Sequence, residues 1–118
     1  MKLIAHRGWS SGTRENTLAA FRCAAAEPDV AGVELDVRRG DDGGLAVSHD
    51  PPHPGSAALD EVVRFLSTTR LEAFVELKEP GLVPAAVRAL TAGGLAGRSV
   101  IFGPGEVLQE RDGEREVV

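Results

Sequence analysis

The chain has 118 residues, 42% of them hydrophobic and 26% charged, which suits one soluble globular domain. That length excludes a closed single-chain (β/α)8 barrel, which needs roughly 200 residues or more. The formal charge of −5, the lack of a basic stripe and an aromatic set of one Trp, four Phe and no Tyr argue against a nucleic-acid partner.

Strand-like and helical runs alternate along the chain. Leu3 to Ala5 reads as a strand ending at His6. Asn16 to Ala26 reads as a helix, with Leu18, Phe21 and Ala25 at helical spacing. Val33 to Val37 and Leu45 to Ser48 are the next strands, and the Gly40 to Gly44 run between them has hairpin length. Ala57 to Leu66 is helical, with Leu59, Val62, Val63 and Leu66 on one stripe. Phe74 to Leu77 is a fourth strand. Leu82 to Ala92 is a helix that tolerates Pro84 in its first turn. Ser99 to Phe102 is a fifth strand, broken by Gly103-Pro104-Gly105. This order predicts an α/β fold with a mainly parallel sheet. Residues 1–105 form the expected domain. Residues 106–118, with a net charge of −3, are expected to be a frayed polar acidic tail.

Cys23 is the one cysteine, so an intrachain disulfide and a thiolate zinc cluster are excluded. Its place in an Ala-rich helix marks it as a small packing residue. The apolar run at Leu3 to Ala5 is too short for a signal-peptide core or a spanning helix, so the expected location is the cytoplasm.

Chemistry gathers where strands end. His6-Arg7-Gly8 follows the first strand, Glu34 and Asp36 sit in the second, His49-Asp50 follows the third, and Glu76 and Lys78 sit in the fourth. Strand side chains alternate, so Glu34 and Asp36 share one face while Val33, Leu35 and Val37 share the other. Glu76 and Lys78 are likewise opposed to Val75 and Leu77. The apolar faces are expected to pack on helices. The polar faces are expected to converge at the carboxyl ends of the strands, where parallel α/β proteins bind ligands. Three carboxylates brought together repel, and a divalent cation removes that penalty. An all-oxygen set favours Mg²⁺ or Ca²⁺ over zinc. The three acids, one such ion, Arg7 and Lys78 leave a single net positive charge, which matches a phosphodiester. Two histidines beside such a site can divide proton uptake and donation. The competing structural reading pairs Glu34 and Asp36 with Arg38 and Arg39 on a solvated strand. His53, in the Pro51 to Ser56 loop, reads as solvated, and Trp9 reads equally as packing or as pocket wall.

With these motifs the sequence resembles the glycerophosphodiester phosphodiesterase family. The matching elements are His6-Arg7-Gly8; Glu15-Asn16-Thr17 with Phe21; Gly32 to Val37; Asp42-Gly43 with Val47 to Asp50; Leu59 to Val62; and Glu76-Leu77-Lys78. The resemblance runs from about Leu3 to Phe102. It implies the first five strands of a TIM barrel, incomplete as a single chain, and hydrolysis of glycerophosphodiesters to sn-glycerol 3-phosphate and an alcohol in lipid and glycerol metabolism. It further implies that His6 and His49 act as general base and acid. Glu34, Asp36 and Glu76 would bind the metal, Mg²⁺ or Ca²⁺. Arg7 and Lys78 would hold the phosphate. Glu15 and Asn16 would support the site, although Asn16 also reads as a helix cap. The short Pro51 to Ser56 loop replaces an insertion common in the family, which leaves room for a sphingomyelinase D-like or lysophospholipase D-like activity. The alternative from another class is a truncated, non-catalytic metal- or phosphate-binding module that needs a partner chain. Its basis is the open sheet, whose unpaired edges invite a homodimer.

Overall fold

The computed structural model describes residues 2–10, 12–103, 107–109 and 115–117. In chain order the elements are β1 (Lys2–His6), α1 (Leu18–Ala26), β2 (Val30–Arg39), β3 (Leu45–Val47), β4 (Ala57–Ala58), α2 (Leu59–Leu66), β5 (Glu72–Leu77), α3 (Val83–Ala92), a single 3₁₀ turn (Ala96–Arg98), β6 (Ser99–Phe102), β7 (Val107–Gln109) and β8 (Arg115–Val117). Strands β1, β2, β5 and β6 are mutually parallel, with β2 between β1 and β5. This is the α/β arrangement expected from the sequence.

The ten-residue β2 is the spine of the sheet. It pairs with β5 along one edge. On the other edge it pairs with β1 and then, beyond the end of β1, with the antiparallel β3. The β2–β3 hairpin closes through Gly40 N–H to the Gly44 carbonyl, with Asp42 Oδ1 accepting from Gly44 N–H.

The two faces of the sheet are unlike. Val33, Leu35, Val37, Val75 and Leu77 point to the helices. There they join Phe21 and Ala24 of α1, Leu59, Val62, Val63 and Leu66 of α2, and Ala86 and Leu90 of α3 in one buried cluster. Phe21 is fully buried, a burial worth about 2–3 kcal/mol for a side chain of that size. The opposite face carries a small second cluster of Ile4, Phe74 and Val100, with Phe102 against it. Gly32 lies among them in register with Ile4. A Cβ there would meet the Glu72 carbonyl at 2.8 Å and both Ile4 and Phe74 at 3.1 Å. This layer forms the floor of the polar face.

Three elements differ from the sequence reading. The α2 helix starts at Leu59, because Ala57 and Ala58 are extended and pair with β3. The loop from Ser48 to Ser56 is therefore tied off at its base by two strands. The α1 helix starts at Leu18, capped by Thr17, whose side chain accepts from Ala20 N–H. The expected frayed tail instead supplies β7, antiparallel to β6, and β8, parallel to β1. The free edges of β1 and β6 offer unpaired backbone groups to the Val- and Leu-containing runs of the tail. β7 and β8 are thus the outer strands beside β6 and β1. Pro104 and Gly105 of the expected breaker, and Glu106, Glu110, Arg111, Asp112 and Glu114 of the acidic tail, lie outside the described residues.

Candidate active site

The register of the parallel strands assembles the site. His6 is opposite Glu34 across β1–β2, and Asp36 is opposite Glu76 across β2–β5. One oxygen from each of Glu34, Asp36 and Glu76 lies within 4.8 Å of the others. Glu34 and Asp36 are buried, and Glu76 is half-buried.

Each acid has a separate partner. His6 Nε2 is 3.1 Å from Glu34 Oε2. Lys78 Nζ donates to Glu76 Oε2 at 3.0 Å. Asn16 grips Asp36 twice: its Nδ2 donates to Asp36 Oδ2 at 3.0 Å, and its Oδ1 accepts from Asp36 N–H at 3.3 Å. Asn16 is therefore not the helix cap, a role that falls to Thr17. Reaching Asp36 puts Asn16 at φ +59°, in the left-handed region, and Arg7 sits likewise at φ +58°. Left-handed backbone costs an L residue about 1–2 kcal/mol. The two residues are joined by Asn16 N–H donating to the Arg7 carbonyl at 2.8 Å.

Arg7 bridges two acids. Its Nε is 3.0 Å from Asp36 Oδ2, and its Nη1 donates to Glu15 Oε1 at 2.9 Å. Burial opposes its charge, but the Glu15 hydrogen bond and the charges of Asp36, Glu15 and Glu34 together push its pKa above the ordinary value. The turn that presents Arg7 depends on Gly8. Gly8 has φ +87°, and a Cβ there would lie 2.7 Å from that of Ala20.

The acids retain unused capacity. Glu34 Oε1 and Asp36 Oδ1 are buried without a hydrogen-bond partner among the described residues. Burial, and then the charges of Asp36 and Glu76, raise the Glu34 pKa to about 8 against the pull of Arg7 and Lys78. A convergent, electron-rich oxygen set with orphaned lone pairs fits a hard divalent cation.

His49 stands apart. Its side chain is 42% exposed, and its Nδ1 is 3.2 Å from Asp50 Oδ1. It lines an open cavity of about 1000 Å³ between the start of α1 and the Ser48 to Ser56 loop. Glu15, Asn16, the exposed His53 and Glu61 line the same cavity. Among the described residues no hydrogen bond joins His49 to the acidic trio. Its connection runs through the backbone: Ser48 N–H donates to the Asp36 carbonyl at 2.9 Å, and Arg38 Nε donates to the His49 carbonyl at 2.8 Å. The solvated-strand reading thus fails for Arg38 and Arg39. Arg38 Nε bonds the His49 carbonyl and its Nη1 lies near Glu79, while Arg39 Nη1 donates to the Gly43 carbonyl. Arg38 had a legible signal, since it continues the alternate positions of Glu34 and Asp36. Trp9 packs against the main core, and Cys23 is a half-buried free thiol.

The parallel sheet is backed by helices on one face and gathers Glu34, Asp36 and Glu76 with His6, Arg7 and Lys78 on the other. Residues 6–98 match the glycerophosphoryl diester phosphodiesterase family, and the chain belongs to it. The glycerophosphodiester phosphodiesterase of Caldanaerobacter subterraneus subsp. tengcongensis is 52% identical over 48 residues, covering 41% of this chain and 19% of that protein. The crystal structure of a glycerophosphodiester phosphodiesterase from Agrobacterium tumefaciens superimposes with a TM-score of 0.68 at 26% identity, over 86% of this chain and 57% of that one. An Oleispira antarctica phosphodiesterase, solved in complex with the product sn-glycerol-3-phosphate, superimposes with a TM-score of 0.67 at 25% identity, over 77% of this chain and 52% of that one. The chain thus spans little more than half of these solved relatives, and the matched stretch about a fifth of the curated one. Among the described residues no helix is long and apolar enough to cross a membrane.

Proposed function

We propose that this chain carries the metal and proton-transfer residues of a divalent-cation-dependent phosphodiesterase. Its substrates would be glycerophosphodiesters, split into sn-glycerol 3-phosphate and an alcohol. The observation that carries this reading is the convergence of Glu34, Asp36 and Glu76 within 4.8 Å, with His6 on Glu34 and Lys78 on Glu76. The product complex of the Oleispira antarctica relative supports the substrate class.

Glu34, Asp36 and Glu76 would hold one Mg²⁺ or Ca²⁺. When bound, that ion supplies positive charge against a phosphoryl oxygen and offsets the charge that builds in the transition state. Arg7 and Lys78 flank the acids from opposite sides and bind the remaining phosphate charge. His6 accepts the proton of the substrate's own glycerol hydroxyl as that oxygen forms the new P–O bond of a cyclic phosphate. The bond to the alcohol breaks with its electron pair passing to the departing oxygen, which takes a proton from His49. Water then opens the cyclic phosphate to sn-glycerol 3-phosphate, losing its proton to His49 while the freed glycerol oxygen takes one from His6. Glu15 and Asn16 hold Arg7 and Asp36 in place.

The test is incubation of the purified chain with glycerophosphocholine and Mg²⁺ or Ca²⁺, with and without chelator, and assay of glycerol 3-phosphate. Chelator-sensitive release is expected. Metal binding without release would overturn catalysis by this chain and leave a binding module.

A further inference from the structure

We propose that Arg38 is a positioning residue for His49 in this reaction. The inference rests on the proposed function, because it matters only if His49 protonates the leaving alcohol. Arg38 shares the polar face of β2 with Glu34 and Asp36, at the next alternate position. It pairs in register with Ala46 of β3, and its side chain reaches past the hairpin to the loop beyond. There its Nε donates to the His49 carbonyl at 2.8 Å, half-buried. Its Nη1 lies 3.9 Å from Glu79 Oε2, on the segment following β5.

The need for such an anchor is plain from the surroundings of His49. The side chain is 42% exposed, and among the described residues its one hydrogen-bonding side-chain partner is Asp50, itself 86% exposed. That contact does not fix the ring in space. The loop is closed at its base by the β3–β4 pair, and Ser48 N–H is tied to the Asp36 carbonyl. From there, Arg38 is the one side chain among the described residues that bonds the His49 peptide from the sheet. One strand thus carries two metal-site acids and the clamp for the proton donor, so the spacing between them is set by β2. A donor displaced by about 1 Å loses on the order of 10²-fold in rate. A charge-assisted hydrogen bond to a carbonyl in a half-buried place is strong enough to prevent that.

The step affected is protonation of the departing oxygen, so leaving-group chemistry tests it. Glycerophosphocholine loses an alkoxide that needs His49's proton. Glycerophospho-p-nitrophenol loses a stable phenolate that does not. Wild type, Arg38→Gln, His49→Ala and the double variant are compared on both diesters, with thermal melts to verify folding. Arg38→Gln is expected to lower kcat for glycerophosphocholine about 10- to 100-fold with little change in KM, and to change the aryl substrate less than about threefold. The double variant is expected to be no slower than His49→Ala alone, because the arginine acts through the histidine. Equal losses on both diesters, or multiplicative losses in the double variant, would overturn the proposal. Should Arg38→Gln not fold, Arg38→Lys keeps the stem and charge, and the same selective loss, smaller in size, is required of it. Wild type inactive on both diesters would instead overturn the functional reading, and this inference with it.

Discussion

The two ends of the parallel sheet use arginine in opposite ways. At the amino end, Arg70 donates to the carbonyls of Ala25, Glu27 and Val30 at 3.0, 2.8 and 2.9 Å. Arg98 donates to the carbonyls of Leu66, Ser67 and Leu71. These two side chains tie the ends of α1 and α2 to the starts of β2 and β5. At the carboxyl end, Arg7 sits in left-handed backbone, its Nε lies beside Asp36 without an aligned hydrogen bond, and two neighbouring carboxylate oxygens are orphaned. One end spends its polar groups on stability. The other withholds them, which is where ligands are expected to complete the set.

That contrast yields predictions of decreasing size. His6→Ala or His49→Ala is expected to lower turnover about 10²-fold or more without loss of the fold, since both side chains are substantially exposed. Near-normal turnover in either variant would remove that residue from proton transfer. Asn16→Ala is expected to weaken divalent-ion affinity about 10- to 100-fold, because it frees the Asp36 carboxylate and peptide together. Calorimetric titration reads this, and unchanged affinity would reduce Asn16 to a loop residue.

Arg98→Ala is expected to do the reverse. It strips partners from three carbonyls, costs about 2 kcal/mol in denaturant melts, and leaves metal affinity intact. A variant that keeps its stability but loses the metal would abolish the division between the two ends.

The smallest effect is on pH. Glu34 has a folded-state pKa of about 8 against an ordinary 4.5, so the folded metal-free chain binds more protons than the unfolded chain between those values. Its contribution to stability therefore falls as pH rises through that window, and the full penalty is present above about 8. Saturating Mg²⁺ or Ca²⁺ is expected to flatten this slope. The same slope in Glu34→Gln would assign it to other groups.

Much of the site could be read from alternation alone. Glu34 with Asp36, and Glu76 with Lys78, fall on one face by the two-residue period, and parallel pairing then brings Asp36 beside Glu76. The helix stripes of α2 were equally legible, because Leu59, Val62, Val63 and Leu66 repeat at helical spacing. What escaped depended on backbone angles or long-range contacts. Asn16 was expected as a supporting residue from the resemblance alone, and its contact with Asp36 depends on a left-handed φ that no spacing rule announces. Ala57 and Ala58 have good helix propensity, yet pairing with β3 holds them extended. The tail looked polar throughout, and its short apolar runs became strands because two sheet edges were available to them. The cavity shared by His49 and His53 depends on how two loops face each other across the start of α1.

The central claim is that Glu34, Asp36 and Glu76 form one divalent-ion site. Isothermal titration of the metal-free chain with Mg²⁺ or Ca²⁺ at pH 7, in buffers of differing ionisation enthalpy, tests it most directly. The expected result is a single site whose occupation releases close to one proton, because Glu34 with its pKa of about 8 must ionise to bind. Glu76→Gln is expected to abolish that heat. No binding, or binding unchanged when all three carboxylates are replaced by amides, would contradict the account.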